Sequence, residues 1–408
     1  MDSEAPILIA GGGIGGLALA LALARRRRRS TVLERQETPT AAGAGIQLGP
    51  NAVRALQSLG VAEALQRWVG TPEAIEVHAG ASGRRLARLP LGSWIAARHG
   101  APYWVAHRGD LHGVLAAAAG ADPLIEMRTG FEAASVAQTP AEVVVTGKAG
   151  LRLSASVLVG ADGLWSAVRP SVVPDRMPRP AGATATRTVI PSAHAGPLAG
   201  PAVGLWLSAE AHVVHYPVRG GSEIAVVVIA REPGARQGRG WDSNADAERL
   251  QRRLAPFHAS LKEVLMPPRA AWPWREWTLH TLARLPTWVG GRIVLLGDAA
   301  HPMLPYLAQG GALALEDAAV LAHCLATAAD PLAALGRFET LRAARARRVQ
   351  AASLRQGRIY HLAPPLSWVR DTTLALAPGP WLMAGYDWLY AWRAPQSGAF
   401  AAAEQRDA

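Results

Sequence analysis

Residues 7–24 read ILIAGGGIGGLALALALA: a short apolar run, five glycines within six positions, then leucine and alanine without a break. Gly11, Gly13 and Gly16 stand in GxGxxG spacing, with Ile14 and Gly15 between them, at the junction of a predicted strand (Ile7 to Ala10) and a predicted helix. The Leu-Ala stretch repeats every two residues. Neither residue is β-branched and both are strong helix formers, so propensity decides for helix. Glycine permits the tight turn and lets backbone N–H groups approach a pyrophosphate at the helix N-terminus. TVLER follows, placing Glu34, and Arg35 beside it, at the end of the next predicted strand. A carboxylate there can accept both ribose hydroxyls of an adenosine and disfavours a 2′-phosphate. Glycine turns are common, but strand, turn, helix, strand and acid together leave little room for a purely architectural reading.

By hydropathy alone Ala5 to Ala24, followed by Arg25 to Arg29, is also a membrane span with a basic stop. Three features oppose that. A spanning helix would not cluster glycines so, Asp2 and Glu4 are acidic where a secretory leader is basic, and no small-residue cleavage site follows. The chain is therefore expected to be soluble and cytoplasmic, without a membrane span.

Its 408 residues exceed one ordinary core and suggest two domains with an appendage. With 50% hydrophobic and 18% charged residues, wholesale disorder is excluded. The net charge is +11, and Lys148 and Lys262 are the only lysines. Apart from Arg25 to Arg29, the arginines are scattered among apolar residues. No basic face interleaved with aromatics points to nucleic acid, so the excess charge is expected to draw anionic substrates and cofactors. Cys324 is the only cysteine, which excludes intramolecular disulfides, Cys-rich zinc sites and CxxC redox chemistry; no metal site is expected.

Strand-like runs at Ile7–Ala10, Tyr103–Ala106 and Arg292–Leu296 are each followed by a predicted helix, the alternation of an α/β protein with a parallel sheet. Between about Ala181 and Arg231 the pattern turns to short β-type runs such as HVVHYPV and EIAVVVIA, which predicts a sheet-based domain inserted in the first. Residues from Gly310 to Arg358 are helical in character, and the tail carrying Trp368, Trp381, Trp388 and Trp392 is expected to pack as short helices over the rest.

Three further stretches carry chemistry. In GRIVLLGDAAHPMLPYLAQGGALALEDAAVL, Asp298 is predicted at the C-terminal end of a strand, where ligands bind in open α/β sheets. Pro302 and Pro305 shape the loop, and a helix opening at Gly310, Gly311 and Ala312 offers unpaired N–H groups to an anion. ASVLVGADGLWSAVR sets Asp162 and Gly163 directly after an apolar strand. YWVAHRGDLHGVL puts Arg108 between a strand and a helix, where it can fork onto phosphate oxygens or merely cap carbonyls.

These motifs, in this order and spacing, resemble the single-component FAD-dependent aromatic hydroxylases, with salicylate hydroxylase, hydroxybenzoate hydroxylases and 6-hydroxynicotinate monooxygenase nearest in wording. GAGIQLGPNAVRAL, HRGDLH and ARARRVQ share the likeness, which extends over roughly residues 5 to 350. It implies a Rossmann-like FAD domain of the GR2 type with an inserted substrate sheet and a helical C-terminal region. The expected division is 1–72, 98–178 and 278–330 for FAD, 73–97 and 179–277 for substrate, and 331–408 for the C-terminal helices. By the resemblance Gly11, Gly13 and Gly16 take the pyrophosphate, Glu34 the ribose, Arg108 helps hold the FAD and Asp298 meets the ribityl chain. Gly45 joins the FAD set. Gly310 to Ala312 lie along the pyrimidine edge, Asp162 and Gly163 form the shared FAD and NAD(P)H motif, and Pro302 lies near the reacting flavin carbon. NADH or NADPH is then a co-substrate without a Rossmann site of its own. The implied reaction passes through a flavin C4a-hydroperoxide and places one oxygen atom on a small hydroxylated aromatic or N-heteroaromatic acid, with decarboxylation as an open variant.

Such a ring is activated when a phenol proton leaves, so a base titrating near neutrality is useful. His212 and Tyr216 are four apart in HVVHYPV, hence on one face of a strand, with His215 on the other. His212 is the candidate base against the alternative of a half-exposed strand histidine, and Tyr216 the substrate partner. Hydroxynicotinate-type relatives carry a His where this chain has Gln47, which counts against that substrate. Arg187 matches a family Arg able to pair a carboxylate, and His301 is expected to shape its loop. Trp272, Trp274 and Trp277 look superficially like a halogenase motif. Arg-Glu follows in place of Ile-Pro and no lysine is suitably placed, so packing between the substrate domain and the FAD sheet is the expectation. Two alternatives stay open: the same flavin chemistry on a larger polycyclic or quinone-like metabolite, and a flavin-fold binding protein without turnover. A monomer or homodimer is expected.

Overall fold

The computed structural model describes residues 6–38, 45–234, 243–267 and 272–395. The strands flanking the glycine turn lie at the centre of a six-stranded sheet ordered Val289–Gly290, Ile293–Leu295, Leu158–Gly160, Ile7–Ala10, Ser30–Leu33, Ile125–Arg128. All neighbours are parallel except the edge hairpin Val289–Gly290 with Ile293–Leu295. Parallel strands are covered on both faces, which is why ILIA and IVL are apolar throughout and fully buried. The helix Ile14–Ala24 packs between Arg108–Ala121 and Gly310–Thr327. Every residue of it but Gly15 is buried, so the Leu-Ala text needs no polar face. The antiparallel meander Ala133–Gln138, Val143–Gly147, Arg152–Ala155 adds Val143 and Val145 to the same core.

The expected parallel strand near Tyr103–Ala106 is not in that sheet. Residues Trp104–His107 pair antiparallel with Gly45–Leu48, and Ile125–Arg128, reached by the helix Arg108–Ala121, takes the edge beside Ser30–Leu33. Strand–helix alternation fixes the elements but not which strand pairs with which.

The second sheet has eight strands in the order Ser243–Asn244, Arg275–Thr281, Arg179–Pro191, Glu223–Arg231, Ala211–Val218, Ala202–Leu207, Ala74–Ala79, Arg85–Pro90. Alternation sorts its two faces. Ala211, Val213, Ile224, Val226 and Val228 pack outward on the helices Ala247–Leu254 and Ala259–Leu265. Val214, Tyr216, Val218 and Ala225 face the first domain and the C-terminal helices. Strand Arg275–Thr281 and helix Gly92–His99 both run across divisions drawn from the sequence at 277/278 and 97/98.

Trp272 and Trp274 depart from expectation. They pack on the outer face, where Trp272 Nε1 donates to the Val264 carbonyl at 2.8 Å, rather than between the substrate sheet and the FAD sheet. Only Trp277 lies on the inner side, with the Arg187 guanidinium 5.0 Å from its ring centre and Leu304 and Tyr306 in the same cluster.

The 30-residue helix Pro331–Tyr360, about 45 Å long, joins the two domains. Ala334, Leu335, Phe338 and Ala346 belong to the first core and Val349 to the second. No helix among the described residues is long and apolar enough to cross a membrane, and none of their His, Cys, Asp and Glu side chains form a group able to hold a metal.

Candidate active site

The glycine turn is closed on one side and open on the other. Gly11 adopts φ +111°, and a Cβ there would lie 2.4 Å from the Ala161 carbonyl oxygen; at Gly16 it would lie 1.9 Å from that of Gly11. Gly13, which starts the Ile14 helix, would present a Cβ to open space. No side chain caps that helix and its first turn holds no acid, so its N–H groups and positive end face outward unopposed. Glu34 ends its strand beside the turn, its carboxylate accepting from Gly12 N–H at 2.8 Å and Gln36 N–H at 2.9 Å. Arg35 next to it is exposed. His112 Nε2 lies 2.7 Å from the Gly12 carbonyl oxygen; sequence reasoning passed over this residue, although it sits one helical turn beyond Arg108 in the HRGDLH text.

Asp162 follows the strand Leu158–Gly160. Its Oδ2 accepts from Ala167 and Val168 N–H at 2.7 and 3.2 Å, whereas its buried Oδ1 has no partner. Burial raises its pKa against the pull of the Ser166 side chain and of these N–H groups. Gly163 beside it has φ +75° and open space at its α-carbon.

The strand Ile293–Leu295 ends earlier than expected, so Asp298 sits in a short turn, Gly297–Ala299. Asp298 keeps an exposed surface while protein surrounds the carboxyl, as on the wall of a crevice. Burial raises its pKa, opposed by His301 and Arg108. At Arg108 burial lowers the guanidinium pKa, Asp298 opposes it and Arg187 reinforces it. Arg108, Asp298 and Arg187, from three separate segments, therefore share one electrostatic neighbourhood.

The long C-terminal helix holds the loop that follows. Gln350 donates to the Pro302 carbonyl at 2.9 Å, Ser353 to that of Leu304 at 2.7 Å, and the Tyr306 ring lies where a Cβ on Gly357 would stand, 2.6 Å away. Beneath the loop His301 Nε2 lies 2.6 Å from Asp317 Oδ2, and Arg342 bridges Asp317 and Glu316 at 2.7 Å each. Burial opposes ionisation of Asp317, but His301 and Arg342 outweigh it and hold the pKa at about 2. Asn51 ties Glu316 to Gln309, the residue preceding the helix Gly310–Thr327. That helix too begins without a side-chain cap or an acid in its first turn. Gly310 and Gly311 remain partly open and Ala312 is buried, with a Cβ on Gly311 only 2.8 Å from Ile46.

On the inner face of the second sheet stand His212 and Tyr216. Arg187 pairs with Val227, and Val227 with Val214, so Arg187 shares that face two strands away. His215 points to the other side against Gly204. Tyr216 is buried against Gly45, where a Cβ would come within 2.3 Å of its ring. Next to it Tyr103 donates to Gln47 at 2.6 Å. Burial raises the pKa of both phenols.

His212 is not half-exposed: 1% of its surface is accessible. Its Nδ1 lies 2.9 Å from His361 Nε2, and the rings of Tyr306 and Tyr360 stand 5.6 and 5.1 Å away. Burial, then the neighbouring His361, holds its pKa well below the ordinary value. Tyr360 and His361 gave no sequence signal, because nothing local marks a residue that meets the site only through a distant segment; Tyr103 and Tyr306 lie inside two of the motifs but were not singled out there.

The structure thus gathers an open glycine turn, two uncapped helix N-termini, a strand-end carboxylate and a buried Asp162 Oδ1 at the C-terminal ends of the parallel strands. This donor and acceptor set fits the pyrophosphate, ribose and ring of FAD, and the fold is that of an FAD-binding α/β protein with an added substrate sheet. Comparison with known proteins agrees. Residues 4–355 match the family described as FAD binding domain. The chain is 36% identical over 386 residues to 3-hydroxybenzoate 6-hydroxylase 1 of Aquipseudomonas alcaligenes, covering 94% of this chain and 97% of that one. It is 33% identical over 357 residues to 6-hydroxynicotinate 3-monooxygenase of Bordetella bronchiseptica (strain ATCC BAA-588 / NCTC 13252 / RB50), covering 86% and 91%. A salicylate hydroxylase substrate complex superposes with a TM-score of 0.81 at 24% identity, covering 96% of each chain, which speaks to the fold alone. The chain belongs to the FAD-dependent aromatic hydroxylases: it is a flavoprotein monooxygenase that uses NAD(P)H.

Proposed function

We propose that this enzyme hydroxylates a small hydroxylated aromatic acid, with the ring lying between the inner face of the second sheet and the Pro302–Tyr306 loop. The observation that carries this reading is the convergence of His212 and Tyr216 on one strand face with Gly45, Gln47 and Tyr103 on one side and Tyr306 on the other. The relatives' named substrates, a hydroxybenzoate and a hydroxynicotinate, are of this size and chemistry. A hydroxybenzoate is the better match, because Gln47, engaged by Tyr103, offers no titrating imidazole.

In this reading Gly11, Gly13, Ile14, Gly15 and Gly16 hold the FAD pyrophosphate and Glu34 the ribose, flanked by Arg35 and Gly45. Arg108, Asp162, Gly163 and Asp298 line the rest of the cofactor, and Gly310, Gly311 and Ala312 lie along its ring. Bound there, FAD would supply acceptance of a hydride from NADH or NADPH and activation of O2. His212 accepts the phenol proton, Tyr216 and Gln47 orient the ring, and Arg187 attracts the carboxylate. Pro302, held by Gln350, keeps the loop shaped against the flavin. The enzyme acts in the cytoplasm as a monomer or homodimer.

The test is the rate at which NADH or NADPH bleaches the visible flavin band, with and without 3-hydroxybenzoate, salicylate and 6-hydroxynicotinate. One acid should accelerate bleaching and appear as hydroxylated product. His212→Ala should slow hydroxylation about 100-fold or more while FAD binding is kept. Turnover and coupling like the wild type in that variant would remove the base from the mechanism. Bleaching that no acid accelerates would favour a larger polycyclic substrate.

A further inference from the structure

Under the proposed function His212 must dispose of the proton it takes, and His212 is sealed from solvent at 1% accessibility. Among the described residues, the one titratable group bonded to its Nδ1 is His361, at 2.9 Å. His361 is the residue immediately after the long helix Pro331–Tyr360, and it is only partly buried. A histidine contributed by the C-terminal region therefore stands between the interior of the substrate sheet and the surface.

We propose that His212 and His361 form a two-histidine proton relay, in which His361 carries the substrate's phenol proton from His212 to solvent. This rests on the reading of His212 as the base. The transfer balances without any redox partner. The substrate O–H bond breaks as an N–H bond forms at His212 Nε2, and the proton on His212 Nδ1 passes to His361 Nε2. The proton on His361 Nδ1 then leaves to water. Each imidazole ends neutral in its other tautomer, and the one charge left inside is that of the substrate's phenolate oxygen.

The groups around the pair suit this task. Tyr306 and Tyr360 pack against His212, and Tyr306 meets the edge of His361 at 5.9 Å; both phenols are raised by burial and stay protonated at neutral pH. Facing His361 are two cations: Arg231, at the end of the strand Glu223–Arg231, and Arg370, on the helix Leu366–Leu376. Burial first and then these arginines hold His361 at a pKa of about 4. The place of His361 between the sealed His212 and the surface gives the relay its outward direction. Arg370 also donates to the carbonyls of Ile359 and Tyr360 at 3.1 and 2.7 Å, fixing the turn that carries His361.

The experiment mixes FAD-loaded oxidised enzyme with 3-hydroxybenzoate in weak buffer and follows proton release with a pH indicator by stopped flow, from pH 6 to 9. His361→Gln keeps a hydrogen-bonding side chain but cannot titrate. It should release the proton at least about tenfold more slowly, with added imidazole restoring the rate and the flavin spectrum unchanged. Wild-type release in His361→Gln, or slowing that imidazole does not relieve, overturns the relay. If His361→Gln loses FAD, a proton inventory of the wild-type enzyme in H2O/D2O mixtures decides: a curved plot supports two protons in flight and a straight one refutes it. His212→Ala in parallel separates the two ideas. Release lost there but intact in His361→Gln removes the relay alone, while intact release in both removes the base as well.

Discussion

The long helix Pro331–Tyr360 ends in one kind of interior and passes through another on the way. Near its middle Arg342 and Arg345 meet Glu316 and Asp317 in a fully paired ionic network under the Pro302–Tyr306 loop. At its C-terminus it enters an assembly of rings, His212, His361, Tyr306 and Tyr360, in which every group is neutral at physiological pH. Both regions are buried and polar, and their chemistry differs because their tasks differ. The network positions backbone and needs permanent charge matched by permanent charge. The ring cluster is proposed to pass a proton on, and desolvation keeps its imidazoles uncharged, below the near-neutral titration the sequence suggested for a base.

The contrast is broken most forcefully by removing one charge. Arg342→Met leaves Asp317 and part of Glu316 buried without their cation and should destabilise the fold by about 3–5 kcal/mol, with FAD lost early in urea unfolding. A change below about 1 kcal/mol would mean the network is no more demanding than the ring cluster.

Lowering the pH should separate the two regions. His361 is held at about 4 and His215 at about 3, both by burial first, and His212 lies well below the ordinary value. With folded pKa values depressed, the unfolded chain binds more protons below pH 6.5, so stability falls as pH drops from about 6.5 to 4. Asp317, lowered to about 2, contributes stability that is complete above the ordinary carboxylate range and is lost progressively as pH falls from that range through about 2. Urea unfolding from pH 8 to 4 should show this slope, shallower in His361→Gln. A flat profile across that window would contradict the neutral cluster. The smallest effect belongs to a neutral hydrogen bond: Tyr103→Phe, which frees Gln47, should cost about 1 kcal/mol in thermal unfolding and shift KM more than FAD affinity.

How much was legible in the sequence follows the same division. The proposed cofactor end is built from short contiguous segments that offer backbone groups. A glycine turn, the strand end at Glu34 and the helix start at Gly310 therefore announce themselves by spacing. The parallel sheet, the inserted substrate sheet and the shared face of His212 and Tyr216 were readable for the same reason, since period and propensity act locally. The antiparallel pairing of Trp104–His107, the outward packing of Trp272 and Trp274, and the burial of His212 were not.

By itself, then, the sequence determined the elements, the cofactor class and the residues one strand face presents, because those depend on neighbours a few positions apart. Only the tertiary structure decided what meets that face. Tyr306, Tyr360, Tyr103 and His361 reach it across separations of about 90 to 150 residues or more. Their effect is set by desolvation and by which ring lies opposite which, and neither quantity exists until the chain has closed on itself.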